Sequence, residues 1–474
     1  MDRETYGSWR FWLKTLPFLL FILILLAPSD WFMMPGLTTI EQRVIAIFVL
    51  AALCWILEPI PIYATSVLII VLELLLISDK SIWLALPAND ELAFGTQLGY
   101  QEIMATFASP IIMLFLGGFF LAMAATKYRL DVNLARVLLK PFGRNPRNVM
   151  MGLMVVTAVF SMFMSNTATT AMMLSILTPV LAALPAGDRG RVAFALSIPV
   201  AANIGGIGTP IGTPPNAVAL KYLTGENAIS FGEWMMFGVP FVMVMLVISW
   251  ILLNTFYASE QKEIDVQIRG KFLKTGKAYL VYVTFIATVL LWMFGSAHNM
   301  NSYVVALIPV AVFVSSGVIT RDDMKKMSWD VLWLVSGGIA LGLALEKTGL
   351  AARLVHSIPF ADYPAVAVLL GAVALTLIMA NFMSHTATAN LLLPLMAALA
   401  GTVSGLNEVT LILAVTFAAS LGMALPISTP PNALAHATGM VESSQMAKTG
   451  TWLGIIGVVL CLMMLALLGQ LGVI

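Results

Sequence analysis

The sequence predicts an all-α polytopic membrane protein, and three observations support this fold class. Of the 474 residues, 60% are hydrophobic and only 10% are charged, which is far from the composition of a soluble domain. Apolar stretches long enough to cross about 30 Å of hydrocarbon recur along the whole chain. Two blocks of the chain repeat the same polar motifs at a nearly constant offset. The net charge of +1 gives no reason to expect a nucleic acid partner.

The apolar stretches predict eleven membrane spans. They lie near residues 11–27, 39–57, 60–77, 109–126, 192–221 (interrupted), 234–253, 278–295, 302–319, 329–346, 410–435 (interrupted) and 451–470. Two more apolar segments, 149–183 and 366–400, carry a polar triplet at their centre. We expect these two to be re-entrant helical hairpins, because a straight crossing would strand the triplet in lipid.

The distribution of basic residues predicts the orientation. Basic residues before the first apolar stretch are typical of a signal peptide, but no cleavage pattern follows, so we interpret this stretch as a retained span. With the N-terminus in the cytoplasm, 20 of the 25 Lys and Arg residues lie on the cytoplasmic side. The odd number of spans then places the C-terminus outside.

An internal duplication is the clearest sign of organisation. MSNTATT is repeated as MSHTATA 219 residues later, and IGTPPNAVAL is repeated as ISTPPNALAH 216 residues later. The two copies start with spans predicted to run in opposite directions, so their topology is inverted, as in alternating-access transporters. The chain therefore divides into N-terminal spans (1–108), a first repeat (109–253), a loop with further spans (254–328) and a second repeat (329–474).

The polar triplets Ser165–Thr167 and Ser384–Thr386 are predicted at the two hairpin tips. Ser, Thr and Asn there can cap the second hairpin helix, whose first N–H groups and positive dipole end then form a cradle for an anion. A single triplet is equally well an ordinary N-cap of a buried helix. Two triplets at corresponding positions favour a binding role.

The motif TPPN interrupts one span in each repeat, at Thr213–Asn216 and Thr429–Asn432. Adjacent prolines remove backbone donors, so we expect both spans to unwind and to leave free carbonyl oxygens that bind cations. A structural proline kink is the alternative, which the matched copies disfavour. No Lys or Arg lies in the hairpins or broken spans near these motifs, so a cation bound beside a dianion would supply the missing countercharge.

Other kinds of function find little support. Glu58 and Glu73 lie in early spans outside the repeated motifs, and no relay of acidic residues for protons is visible. The motifs of serine hydrolases and zinc proteases are absent, and His385 has no evident orienting carboxylate, so we expect no enzyme. Inverted hairpins that meet at the midplane also disfavour a continuous pore.

Together these motifs resemble those of the divalent anion/sodium symporter family of dicarboxylate, tricarboxylate and sulfate carriers, over essentially the whole chain. The resemblance implies an inverted-repeat transporter that works by an elevator movement, with no enzymatic activity. It also implies a homodimer of eleven-span protomers, each with a scaffold domain and a transport domain, in a bacterial inner membrane. The implied substrates are C4-dicarboxylates such as succinate, malate and fumarate, or citrate or sulfate.

The resemblance also implies roles for individual residues. The substrate-binding positions are Ser165, Asn166, Thr167, Thr213 and Pro214 in the first repeat and Ser384, His385, Thr386, Thr429 and Pro430 in the second. A first sodium site is implied at Ser161, Ser165, Asn166 and the Gly212 carbonyl.

The second cation site departs from the family pattern. Its positions are Ala380, Met383, His385 and Ser428, with histidine in place of asparagine and alanine in place of a hydroxyl residue. A protonated His385 would supply a positive charge near the site, whereas a neutral one would hydrogen-bond as the asparagine does. Coupling to sodium, coupling to a proton and cation-free exchange of dicarboxylates or citrate therefore stay open, as does the identity of the anion.

Overall fold

A computed structural model describes residues 9–32, 34–82, 94–182, 184–185, 187–264 and 271–472, and these residues contain helices, turns and loops but no β-strand. Residues 1–8 and 265–270, which the sequence places in the cytoplasm, and the C-terminal residues 473–474 lie outside the described ranges.

Eleven helices make up the first half of the described chain. They are α1 (Trp9–Leu26), α2 (Thr39–Leu57), α3 (Ile62–Leu76), α4 (Tyr100–Ala105), α5 (Pro110–Lys127), α6 (Leu130–Leu139), α7 (Pro146–Ser161), α8 (Asn166–Ala182), α9 (Gly190–Gly206), α10 (Pro214–Leu220) and α11 (Phe231–Phe256). Polar residues fix several of the helix starts: Thr38 with Glu41, and Ser230 with Glu233, form capping boxes at α2 and α11.

Eleven more helices make up the second half. They are α12 (Gly276–Met293), α13 (Gly295–His298), α14 (Ser302–Ser315), α15 (Arg321–Met324), α16 (Trp329–Lys347), α17 (Leu350–His356), α18 (Ala365–Phe382), α19 (His385–Ala400), α20 (Glu408–Leu421), α21 (Pro430–Ala437) and α22 (Ser443–Gln470).

Seven helical segments within the described residues have the length and hydropathy of a membrane span. They are Thr39–Leu57, Tyr100–Lys127, Phe231–Phe256, Gly276–Met293, Trp329–Lys347, Ala365–Phe382 and Ser443–Gln470. Six coincide with spans predicted from the sequence, while the seventh, α18, is the first arm of a predicted hairpin. The fold is that of an all-α polytopic membrane protein.

Of the remaining predicted spans, two contain shorter helices, two are divided, and one is a single helix of 18 residues. The spans predicted at 60–77 and 302–319 contain α3 and α14, with 15 and 14 residues, which cover only about 20 Å. The spans predicted at 192–221 and 410–435 are each divided into two helices. The first predicted span contains α1, of 18 residues with Pro17 inside it.

The two copies of the repeat pack in the same way. In the first, α9 packs against α7 and α8, and in the second, α20 packs against α18 and α19. The short helix α10 packs against α19 of the second hairpin, and α21 packs against α8 of the first. These reciprocal contacts bring each broken helix to the hairpin of the other repeat. The division into scaffold and transport domains stays a prediction.

An ion pair joins the end of α5 to α15, outside the spanning helices. Lys127 donates to the carboxylate of Asp323 and, at 2.9 Å, to the carbonyl of Val318. The hydroxyl and the N–H of Thr320 donate to the same carboxylate. Burial disfavours the charged carboxylate, but these hydrogen bonds outweigh it and lower the pKa of Asp323 to about 2.

We expect Asp323→Asn to lower the melting temperature equally at all pH values from about 4 to about 8. Because the pKa of Asp323 is lowered in the folded protein, its carboxylate stabilises the fold above the unfolded-state pKa. This contribution to the free energy of unfolding is lost only as the pH falls through about 2. The expected loss is about 0.5–1 kcal/mol, read from thermal unfolding of the purified protein. Asp322→Asn is the matched control, because that carboxylate is 81% exposed, and an equal loss in the control would contradict the account.

Candidate anion and cation site

The polar triplets stand at the tips of the two helical hairpins, as the sequence predicts. Helix α7 ends at Ser161 and α8 begins at Asn166, while α18 ends at Phe382 and α19 begins at His385. The Ser165 hydroxyl accepts from the N–H of Ala168 at 3.2 Å. The Ser384 hydroxyl accepts from the N–H of Ala387 at the same distance. Both serines are therefore N-caps.

The capped helix ends present backbone donors. The first bond along α8 runs from the N–H of Thr169 to the Ser165 carbonyl, and the first along α19 runs from Thr388 to Ser384, both at 3.0 Å. The N–H groups of the first two residues of each helix therefore have no backbone acceptor within the helix. With the positive ends of two helix dipoles, these groups give both tips the chemistry that suits an anion.

The second pair of motifs lies where two helices unwind. Helix α9 ends at Gly206 and α10 begins at Pro214, and α20 ends at Leu421 while α21 begins at Pro430. Thr213 and Thr429, which precede these short helices, have nearly identical extended backbone angles. The predicted interruption of both spans is confirmed.

Several carbonyls of these loops are not free, which corrects part of the expectation from the sequence. The Asn216 amide nitrogen donates to the carbonyls of Gly206 at 3.1 Å and Thr209 at 2.8 Å. The Asn432 amide nitrogen donates to the carbonyls of Met423 at 2.8 Å and Leu425 at 3.1 Å. The asparagine of each TPPN motif thus supplies donors to two of the carbonyls that unwinding releases, as buried backbone groups in a membrane require.

Both tips and both loops line one cavity of about 460 Å³. All ten positions predicted to bind substrate line it: Ser165, Asn166, Thr167, Thr213, Pro214, Ser384, His385, Thr386, Thr429 and Pro430. The start of α3, the middle of α5 and the start of α16 close the cavity on the other side, with Tyr63, Phe119 and Leu334 among their lining residues.

The electrostatics of the cavity favour an anion without a fixed basic side chain. Among the described residues that line it there is no Lys or Arg, and Asp330 at the start of α16 is the one acidic side chain. Positive potential comes from the helix starts at Asn166 and His385, which together are equivalent to about one elementary charge. An anion with two charges therefore needs a further positive group.

The first predicted cation site is a convergence of oxygen atoms. The end of the Asn166 amide lies 2.5 Å from Ser161 Oγ, 3.2 Å from the Ala202 carbonyl oxygen and 3.0 Å from the Gly212 carbonyl oxygen. With its nitrogen turned inward the amide donates to all three. With its oxygen turned inward, four oxygens face one another, which is the neutral donor set that a hard cation accepts.

Close backbone packing makes this convergence feasible. A Cβ on Gly206 would lie 2.7 Å from Asn166 Oδ1, and one on Gly212 would lie 2.4 Å from the Gly206 carbonyl oxygen. Glycine at both positions lets the loop approach the hairpin tip. No cluster of three or more His, Cys, Asp or Glu suited to a metal occurs in the described part of the chain.

The second predicted cation site is built differently. His385 Nε2 lies 2.7 Å from the Gly422 carbonyl oxygen, so this nitrogen carries a proton and donates. His385 and Ser428 line the cavity, whereas Ala380 and Met383 are buried behind it. A Cβ on Gly422 would lie 2.4 Å from the Ala380 Cβ, so glycine lets this loop pack directly against α18. The imidazole thus bonds the loop in the second repeat, at the position that Asn166 holds in the first.

Sequence reasoning missed two polar residues of the cavity. Asn203 on α9 donates to the Thr429 hydroxyl and to the Asn432 amide oxygen, both at 3.2 Å, and so ties the first broken helix to the second loop. An asparagine in an apolar stretch is a signal that could have found it. Asp330 carries no such signal, because only the packing of α16 shows that it lines the cavity.

Comparison with known proteins decides the family. The family model for the transmembrane region of sodium:sulfate symporters matches residues 8–473. The chain belongs to the divalent anion/sodium symporter family. Members of this family are transporters, so the chain is a transporter and not an enzyme.

Two relatives and one solved structure show the extent of the likeness. The chain is 31% identical to the sodium-dependent dicarboxylate transporter SdcS of Staphylococcus saprophyticus, over 93% of this chain and 88% of SdcS. It is also 31% identical to an uncharacterized transporter of Schizosaccharomyces pombe, over 83% of this chain but only 45% of that longer protein. The Alcanivorax borkumensis YdaH transporter shares the fold, with a TM-score of 0.55 and 14% identity over 90% of this chain and 98% of YdaH.

We expect Asn216→Ala and Asn432→Ala each to lower the free energy of unfolding of this transporter by about 1–3 kcal/mol. Each change leaves buried loop carbonyls without a donor. The measurement is thermal unfolding in detergent. Asn254→Ala is the control, because that amide makes a single bond to the Trp250 carbonyl within α11. Losses no greater than in the control would contradict the assigned role.

Proposed function

We propose that this symporter is a secondary active transporter of divalent organic anions, with C4-dicarboxylates such as succinate, malate and fumarate as substrates. The observation that carries the proposal is the meeting of both hairpin tips and both TPPN loops in one cavity. Two tips, each with unpaired N–H groups and a threonine, suit a molecule with a carboxylate at either end. The likeness to SdcS, named a sodium-dependent dicarboxylate transporter, supports the same substrate class.

We propose that sodium binds with the anion at Ser161, Ser165, Asn166 and Gly212. The lining of the cavity has no basic side chain among its described residues, and the two helix starts balance only about one of the two negative charges. A sodium ion among the oxygens around Asn166 supplies the second positive charge. Binding of anion and cation together then couples their transport.

A second candidate is sodium-independent exchange of dicarboxylates, or of citrate for a dicarboxylate. The observation that favours it is the His385 bond to the Gly422 carbonyl, because the imidazole takes the place of a cation ligand in the second repeat. Sulfate or another oxyanion is a third candidate, in keeping with the description of the family. Such an ion has one anionic group and would engage one tip, leaving the other unpaired.

We further propose alternating access by an elevator movement of the hairpins and broken helices against the remaining helices, in a homodimer. The reciprocal contacts of α10 with α19 and of α21 with α8 support this, since they join the moving elements into one unit. The bias of basic residues supports a bacterial inner membrane location with the N-terminus in the cytoplasm and the C-terminus outside.

The function is tested by uptake of labelled succinate into proteoliposomes, with and without an inward sodium gradient, and with and without internal dicarboxylate. We expect sodium-driven uptake that malate and fumarate inhibit. Uptake that needs only internal dicarboxylate or citrate would establish the exchanger instead. Uptake of sulfate that excess succinate does not inhibit would overturn the dicarboxylate proposal.

Thr167→Ala and Thr386→Ala should each raise the succinate concentration for half-maximal uptake about tenfold. Each change removes a hydroxyl that is proposed to hydrogen-bond a substrate carboxylate. Thr178→Ala and Thr402→Ala are matched controls, because these threonines bond carbonyls of their own helix ends. Expression and melting temperature are measured in parallel. Unchanged uptake in both tip variants would refute the binding role of the triplets.

The double change Ala380→Ser with His385→Asn should make uptake depend more steeply on sodium concentration, because it rebuilds in the second repeat the side chains at Ser161 and Asn166. Ala380→Ser alone should leave the sodium dependence as in the wild type, since the imidazole still bonds Gly422. The measurement is the Hill coefficient for sodium in succinate uptake. An identical coefficient in the double variant and the wild type would contradict the role given to His385.

A further inference from the structure

A buried carboxyl group lies in α3, away from the anion cavity. Glu73 is 0% exposed, and neither of its carboxyl oxygens has a hydrogen-bond partner. Tyr63, at the start of the same helix, lines the cavity, and Glu73 lies ten residues further on, which is about 15 Å along a helix. An ionised carboxylate without any donor is very costly in such a place, whereas a protonated one is much less so.

A positive charge that acts on Glu73 belongs to one of the broken helices. Lys221 caps the end of α10, and its charge acts on both Glu73 and Glu346. Its Nζ nevertheless donates to the Ile339 carbonyl of α16, at 3.1 Å. Gly342 makes this approach feasible, because a Cβ there would lie 2.8 Å from Lys221 Nζ. The ammonium therefore bonds a helix carbonyl while the neighbouring carboxyl has no donor.

The other charged groups around α3 are engaged elsewhere or face water. Arg43 on α2 donates to the Leu76 carbonyl at 2.7 Å and lies over the ring of Phe94. Glu102 on α4 and Glu346 at the end of α16 are exposed.

The Tyr222 hydroxyl, beside Lys221, is buried and has no partner. A Cβ on Gly342 would lie 2.4 Å from that hydroxyl, so Tyr222 packs against the same point of α16 as Lys221 Nζ. Glu346, whose charge acts on Lys221 and Tyr222, is exposed at the end of the spanning helix α16, and we expect a proton to enter or leave on this side.

We propose that Glu73 is a proton-binding site whose occupancy alternates with pairing to Lys221. In this conformation the carboxyl holds the proton. When α10 moves against α3 and α16, Lys221 Nζ leaves the Ile339 carbonyl for Glu73, the carboxyl O–H bond breaks, and the proton passes to water on the side of Glu346. The resulting carboxylate pairs with the ammonium, so no buried charge is left alone. The movement rests on the proposed function, while the bound proton does not.

The bound proton is tested by infrared spectroscopy of the purified protein without substrate, near neutral pH. We expect a carbonyl stretching band of a protonated carboxylic acid that shifts in heavy water. The band should be lost in Glu73→Gln and kept in Glu102→Gln, the exposed control. Coincident spectra of the wild type and Glu73→Gln in this region would overturn the proposal, whatever the protein transports.

The coupling is tested by succinate uptake at equal internal and external pH. One proton must rebind in each cycle, so wild-type uptake should fall by up to about tenfold per pH unit as the pH rises. Glu73→Gln and Lys221→Met should each flatten this profile, whereas Thr167→Ala should keep its shape. A profile in Glu73→Gln like that of the wild type would overturn the coupling. A lack of uptake in the wild type would count against the proposed function, and the infrared result would still stand.

Discussion

The architecture depends on one constraint: backbone groups that leave a helix inside a membrane must find partners within the protein. Two spans of this transporter unwind, and in each the asparagine of the TPPN motif donates its amide nitrogen to carbonyls of the unwound segment. Because the amides of Asn216 and Asn432 donate to loop carbonyls, the loops can stay unwound in a buried position. The hairpin tips then pack against the loops, and the cavity between them acquires helix starts, hydroxyls and amides instead of hydrocarbon.

The two repeats share this backbone but differ in charge. In the first, Ser161 and Asn166 meet the Ala202 and Gly212 carbonyls in a cluster of neutral oxygens. In the second, His385 spans the equivalent gap and bonds the Gly422 carbonyl. On the proposed function, the duplicated fold supplies a symmetric cradle for the two ends of an anion, and the side chain at position 385 decides whether the second repeat also binds a cation.

Much of this site could be predicted from the sequence, because its parts are local. Capping serines, adjacent prolines and the repeated order of motifs fix the tips and the breaks in the helices, and the matched offsets indicate that they meet. What could not be predicted depends on which helix faces pack together. The bond from Asn203 to Thr429, the position of Asp330 beside the cavity and the isolation of Glu73 all involve residues far apart in the chain. Hydropathy likewise does not show that α3 and α14 are short while α18 is long.

A structure of this transporter with succinate and sodium bound is the most direct test of the proposed site. We expect the two carboxylates at the two tips, one against Ser165–Thr167 and the other against Ser384–Thr386. We expect sodium among Ser161, Asn166 and the Gly212 carbonyl, with the His385 ring still bonded to Gly422. Succinate bound outside this cavity, or sodium in contact with His385 and none near Asn166, would contradict this proposal.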